Sequence, residues 1–172
     1  MLFAYDQFSV REATDDDRDR IWAWRNSESV RAWMSDAREI PYEDHVKWFD
    51  RRHNENIQLH IFEWGGDPVG VFTLRPNPSD HTDLLMTMYL IEQYIGLGLG
   101  IVIEWFMLKT AFESPECNMV SGTLFENNQV LSLHRFFNFN IEPSKDGFIK
   151  ISKTRKEYDE IKESIKEKIF RH

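Results

Sequence analysis

The chain has few of the residues that staple, span or unfold a protein. Its 172 residues include one cysteine, Cys117, so an intramolecular disulfide framework is excluded. No apolar run reaches the roughly 18 residues of a membrane-crossing helix, so no membrane association is expected. The first ten residues, MLFAYDQFSV, lack a basic segment followed by a sustained apolar one and do not read as a secretory signal. Together with the single cysteine, this points to the cytoplasm. Basic residues are outnumbered 21 to 29, leaving a net charge of −8. A chain of that sign is a poor binder of nucleic-acid phosphate, and no nucleic-acid partner is expected. His45, His53 and His60 show no metal-ligand spacing with acids or cysteines, so no metal is expected. Repeats and low-complexity linkers are also missing.

What is present suffices for one domain spanning residues 1–172. Hydrophobic residues make up 41% and aromatics 14%, and a chain of this length buries roughly 70% of its extended surface. Phe8–Arg11 alternates as a short strand. Thr14 can cap a helix that begins on three aspartates. Ile21, Trp24, Val30 and Trp33 follow at near-helical spacing, with a break near Asn26-Ser27. Pro41 suits the first position of a second helix carrying Val46, Trp48 and Phe49. Strands are expected at 57–62, 69–74 and 82–91, with a hairpin turn at Gly65-Gly66-Asp67-Pro68. A strongly apolar helix (101–112) follows, then a strand (119–124), a helix (128–137), a strand (148–152) and a charged helix (155–170). The last helix has Tyr158, Ile161, Ile165 and Ile169 as its apolar stripe. This order implies a mixed α/β sheet covered by helices.

Three of the eight glycines fall in Gly96-Leu97-Gly98-Leu99-Gly100, between an apolar strand and the long apolar helix. Successive backbone N–H groups at a helix start can wrap a phosphate. The residues alone also fit a glycine-eased connection that holds nothing. A Walker loop is excluded, because Ile101-Val102 stands where Lys-Ser/Thr is required. A dinucleotide loop is excluded, because Ile101 takes the place of its third glycine.

Gln93-Tyr94-Ile95-Gly96-Leu97-Gly98 resembles the Q/R-x-x-G-x-G/A loop of the GNAT superfamily of acyl-CoA N-acyltransferases. The element order resembles that family along nearly the whole chain, implying a GNAT-like, mostly antiparallel sheet of six to seven strands flanked by helices. A second segment, Asn127 to Phe139, is similar to the family pattern N-x-x-S/V-x-x-L-(Y/H)-x-x-x-G-F, with Asn138 in place of the usual glycine. Asparagine tolerates the left-handed geometry such a helix end needs. Trp24-Arg25-Asn26, Val30-Arg31, Trp33-Met34, Ile40, His45 and Trp48-Phe49 resemble one branch, the N-acetyltransferases of nucleotide-activated amino sugars in the pseudaminic acid pathway, also described as flagellin modification enzymes.

The resemblance implies acetyl-CoA as cosubstrate and no metal. It implies a phosphate cradle at Gln93, Ile95, Gly96, Leu97, Gly98 and Leu99, with Asn127 contacting the coenzyme. It also implies that Met88, Tyr89 and Leu90 pair with the pantetheine arm as if it were a strand. His134 falls where many members carry the tyrosine that protonates the departing thiolate, and an imidazole can do this. The family often places an acid on the strand before the loop, but Leu84–Met88 contains none. Asp83 and Glu126 are the nearest candidates for the base, directly or through water, and loss of the proton to solvent stays open. In the N-terminal helices Arg25 suits a substrate phosphate, and Trp33 or Trp48 a base or sugar face. The expected acceptor is the amine of a nucleotide-linked 4-amino-4,6-dideoxy sugar. Alternatives are a protein N-terminal amine of ribosomal-protein type, a polyamine, or a coenzyme A-binding domain without catalysis. An uncovered sheet edge leaves room for a homodimer.

Overall fold

Thr14 and the aspartates after it set the direction of the first helices. The computed structural model describes residues 2–171. Two short strands, β1 (Phe3–Ala4) and β2 (Phe8–Glu12), come first. A single 3₁₀ turn at Asp15–Asp17 then leads into α1 (Arg18–Asn26). Asp17 is fully buried at that junction and takes hydrogen bonds from the Thr14 amide (2.8 Å), from Arg11 Nη1 (2.7 Å) and Nη2 (3.0 Å), and from Arg20 Nε (2.8 Å). Ser27, extended at ψ 142°, separates α1 from α2 (Glu28–Arg31), so the expected break is real and Trp33 lies beyond the helix. Pro41 precedes α3 (Tyr42–Arg51) as its cap and is not its first residue, because its ψ of 141° is not helical.

The middle of the chain is an antiparallel meander of β3 (Gln58–Trp64), β4 (Asp67–Asn77) and β5 (Asp80–Leu90). Gly65 and Gly66 both have positive φ (61° and 90°), the backbone that a two-residue hairpin matched to strand twist requires. The turn is tighter than expected: Asp67 already pairs with Trp64, and Pro68 sits in β4 beside a bulge at Phe62/Glu63. Then come α4 (Gly100–Glu113), β6 (Met119–Phe125), α5 (Leu131–Phe136), β7 (Asn140–Pro143), β8 (Phe148–Thr154), α6 (Arg155–Ile169) and β9 (Phe170–Arg171). The seven-stranded sheet runs β2-β3-β4-β5-β6-β8-β7. All its neighbours are antiparallel except β5 and β6. β1 and β9 form a separate parallel pair. This is the expected mixed, mostly antiparallel sheet flanked by helices, with β1, β7 and β9 added.

Each face of the sheet has its own core. On one face α4 and α6 pack Val102, Ile103, Met107 and Ile165 against Phe62, Phe72 and Leu74. On the other, Ile21 and Phe49 from α1 and α3 meet Leu59, Ile61 and Val71. Helix ends are closed by side chains. Thr154 and Glu157 form a reciprocal capping box on α6. The Arg155 guanidinium donates to the carbonyls of Phe112, Ser114 and Cys117, closing the C-terminus of α4. α5 ends in a Schellman turn. Asn138 has φ 53° and donates to Arg135 O, and Phe139 donates to His134 O.

Burial alone would push the Asp17 carboxyl up, but the bonds from Arg11, Thr14 and Arg20 outweigh it and hold it far below the usual carboxylate range. A group depressed in the folded state stabilises above its unfolded pKa, about 3.9 for aspartate, and loses that contribution only as pH falls through the lower folded value. Asp17→Asn should therefore cost about 2–3 kcal/mol near neutral pH, the range for hydrogen bonds to a charged group. Urea unfolding should show the gap between wild type and variant undiminished at pH 6 and narrowing below pH 4.

Candidate active site

The site begins where β5 and β6 stop pairing. They are parallel neighbours only from Asp83–Leu85 to Met119–Ser121, although β5 continues to Leu90 and β6 to Phe125. Past Leu85 the two strands part, and a cleft of about 120 Å³ opens between Met86–Met88 on one side and Gly122–Leu124 on the other. The Trp33–Ser35 segment, Asn128, Val130 and His134 complete its walls.

At the end of β5 the chain turns through Glu92–Tyr94 into the glycine loop. Gly96 and Gly98 have φ of 87° and 78°. A Cβ at Gly96 would meet nothing within 4 Å, and one at Gly98 only Phe3 Cζ at 3.7 Å. These glycines thus serve the backbone's left-handed turns and are not needed to relieve crowding. The result is a run of amides, from Gly96 to Ile101, with no hydrogen-bond acceptor among the described residues; the next amide, Val102, bonds to Leu99 O. Several of these are the donors every helix start leaves over, and the positive end of the α4 dipole lies behind them. Such a cradle fits a phosphate, and the unpaired edge of β5 beside it fits an extended chain. The loop amides and the open edge of β5 are contiguous.

The expected cradle residues divide by side chain. Gln93, Ile95 and Leu97 are exposed around the loop, whereas the Leu99 side chain is fully buried in the core, leaving only its amide for a ligand. Strand alternation divides β5 as well. Met88 faces the cleft and Leu90 packs on the core, but the Tyr89 side chain points through to the opposite face of the sheet. Asn127 is exposed on the turn after β6 and does not reach the cleft. The buried Asn128 does; it accepts from the Val130 amide and donates to Trp33 O at 3.4 Å, linking the cleft's two rims. Trp33 therefore sits at the cleft and is separated from Trp48.

Beyond β5 lies a second, larger cavity of about 380 Å³ between α1, α3 and the sheet, and Thr87 lines both spaces. Arg25 and Trp48 meet here with Tyr89, His45 and Asp44. Arg25 Nη1 and the Tyr89 hydroxyl are sealed from solvent without a hydrogen-bond partner among the described residues. Burial pushes the Tyr89 phenol well up, so it stays a donor at neutral pH. His45 Nε2 lies 2.7 Å from Arg18 O, which can only accept, so the ring's proton is on Nε2. Burial pushes this imidazole down, favouring the neutral form.

The two expected bases are placed elsewhere. Asp83 is 1% exposed; both of its oxygens are 2.8 Å from Ser121 Oγ, and Oδ2 also accepts from Asn77 Nδ2. It ties the first paired residue of β5 to Ser121, the last paired residue of β6, and lines neither cavity. Glu126 is exposed beside Asn127 and lines neither cavity. His134 is 4% exposed on the cleft wall, with Nδ1 2.6 Å from Glu104 Oε1. Among the described residues no cluster of three His, Cys, Asp or Glu side chains is placed to hold a metal ion, and no helix is long and apolar enough to cross a membrane.

Solved structures share this architecture at low identity. The aminoglycoside acetyltransferase AAC(6')-Ib in complex with coenzyme A has a TM-score of 0.77 at 15% identity, covering 89% of this chain and 98% of its own. A protein from Bacillus halodurans gives 0.78 at 17% identity, over 95% and 92%. The ribosomal-protein-alanine N-acetyltransferase from Brucella melitensis gives 0.70 at 18%, over 85% and 99%. No curated protein matches by sequence. The model of the acetyltransferase (GNAT) family matches residues 15–139, a stretch that contains the splayed strands, the free amides and α5. The chain thus belongs to the acetyltransferase (GNAT) family, as an N-acetyltransferase that uses acetyl-coenzyme A.

Proposed function

We propose that the acceptor is the amine of a nucleotide-linked amino sugar, of the 4-amino-4,6-dideoxy type. The observation that carries this reading is the pair of unpartnered donors in the larger cavity. Arg25 Nη1 and the Tyr89 hydroxyl are buried without acceptors, and such groups are costly unless a ligand supplies one. A phosphate-bearing ligand does so, and Trp48 on the same wall offers a face for a base or sugar ring. The amides of Gly96 to Ile101 would hold the coenzyme's pyrophosphate, and the free edge of β5 at Met88–Leu90 its pantetheine arm.

When bound, acetyl-CoA supplies an activated acetyl group. The chain's residues supply the rest. Thr87 marks where the two cavities meet, so the amine approaches across β5. A neutral amine is needed; Asp83 and Glu126 lie away from the cavity, and of the two candidate bases on its wall, Asp44 and His45, we assign the neutral imidazole of His45 to take the proton, directly or through water. His134 donates a proton to the leaving sulfur. A protein N-terminal amine is the second reading, and the ribosomal-protein-alanine enzyme shares the fold. A peptide amine, however, brings no phosphate to Arg25.

A screen of amines with thiol detection tests the acceptor: turnover of nucleotide amino sugars is expected, and turnover of peptides alone would overturn the reading. Arg25→Ala should raise KM for the nucleotide sugar by about 10- to 100-fold, the equivalent of a charge-assisted hydrogen bond of about 1.5–3 kcal/mol, and leave KM for acetyl-CoA unchanged. Gly98→Ala puts a Cβ on a left-handed residue at a cost of about 1–2 kcal/mol. Calorimetry should then show coenzyme A binding weakened about tenfold. His134→Ala should lower kcat by about a hundredfold. Activity should also fall on acidification below the usual histidine range, as His45 takes up a proton.

A further inference from the structure

α4 carries one charge in its otherwise apolar first two turns, Glu104, and that residue is completely buried. An isolated carboxylate there is unfavourable unless it is paired. Its Oε1 lies 2.6 Å from His134 Nδ1, while its Oε2 is sealed without a partner. The other charged group facing it is Lys153 from β8, 1% exposed, whose Nζ donates to Asn138 O at 2.8 Å. Asn138 is the left-handed residue that ends α5, so the lysine and the glutamate hold the same short helix from two sides. Glu157 and Glu160 on α6 act on Lys153 from beyond. Phe139 packs edge-on to the His134 ring at 5.3 Å and fixes its plane.

We propose that Glu104 is a positioning residue for the acyl transfer, holding His134 by its Nδ1 so that Nε2–H is presented to the cleft as the proton donor. This rests on the reading of His134 as the acid. With Nδ1 turned onto Glu104, Nε2 is the ring nitrogen left without a partner among the described residues, on a wall of the cleft. A proton lies between Nδ1 and Oε1 whether it belongs formally to the ring or to the carboxyl. Burial pushes the Glu104 carboxyl up, against the pull of His134 and Lys153, which keeps that proton in place. In the step itself the lone pair of the neutral amine forms the carbon–nitrogen bond to the acetyl carbon, the carbon–sulfur bond breaks with its electron pair staying on sulfur, and the Nε2 proton moves to sulfur. His134 is left with Nδ1–H on Glu104 and is reloaded from water after the thiol departs.

The test combines kinetics with a spectroscopic reading. Glu104→Gln should lower kcat at least tenfold and keep KM for acetyl-CoA and for the amine within threefold. Added to His134→Ala, it should cost nothing further, because groups acting as one unit are not additive. A purely structural Glu104 would give a loss that adds in full, and that result overturns the proposal. Loss in His134→Ala with none in Glu104→Gln overturns the dyad alone. Loss in neither overturns the acid reading together with it. If the glutamine variant fails to fold, the wild type is still informative. Nitrogen–proton spectra, assigned by His134→Ala, should show a strongly downfield bridging proton on His134 Nδ1 without any substrate present. A bare Nδ1 overturns the proposal.

Discussion

Two parallel strands that pair for three residues and then separate are the constraint on which the site depends. Asp83, in the first paired rung, bonds Ser121 in the last and also takes a bond from Asn77 on β4, and beyond Leu85 the backbone edge of β5 is left without a neighbour from β6. An unpaired strand edge inside a sheet is unfavourable unless something fills it. The same parting lets α4 start at the mouth of the gap with its first amides unpaired, and it lets α5 lean His134 over the opening. Pairing continued to Leu90 and Phe125 would leave no cleft, no reachable cradle and no wall for the imidazole.

Saturated and unsaturated polar groups divide the molecule by role. Asp17, Asp83 and Arg155 are used to capacity: each satisfies several partners at a junction between elements, and each fixes a shape. Arg25, Tyr89 and the loop amides are built into rigid walls with bonds to spare. Of the two acids nearest the loop in sequence, Asp83 belongs to the first kind, whereas Glu126 is exposed and lines neither cavity.

The parts legible in the sequence are those set by local periodicity and turn chemistry. The meander, the apolar run of α4, the stripe of α6, the left-handed glycines of the loop and the asparagine ending α5 all follow from short-range rules. Lines fixed by long-range packing were not legible. β7 offers one apolar residue, Ile141, in Asn-Ile-Glu-Pro, and β1 and β9 are two residues each, too short for any pattern. Alternation shows that Met88 and Tyr89 face opposite ways, but which face holds the coenzyme depends on where α1 and α3 dock. The shift from Asn127 to Asn128 is one residue in a turn, below what spacing resolves. Glu104 is the one acid among the apolar residues of the first two turns of α4, and no local spacing points to its partner thirty residues away.

Because side chains alternate along β5, a single strand is the shared partition of two chambers with different chemistry. Thioether-lined space lies on one side and aromatic, cationic space on the other, separated by the thickness of one polypeptide. Deleting or inserting one residue between Thr82 and Met88 would turn every later side chain over. A deletion would bring Tyr89 to the place of Met88 and put a phenol on the cleft face, and an insertion would put Met88 in the place of Tyr89. This segment can change by substitution during descent, but changes in its length must come in twos.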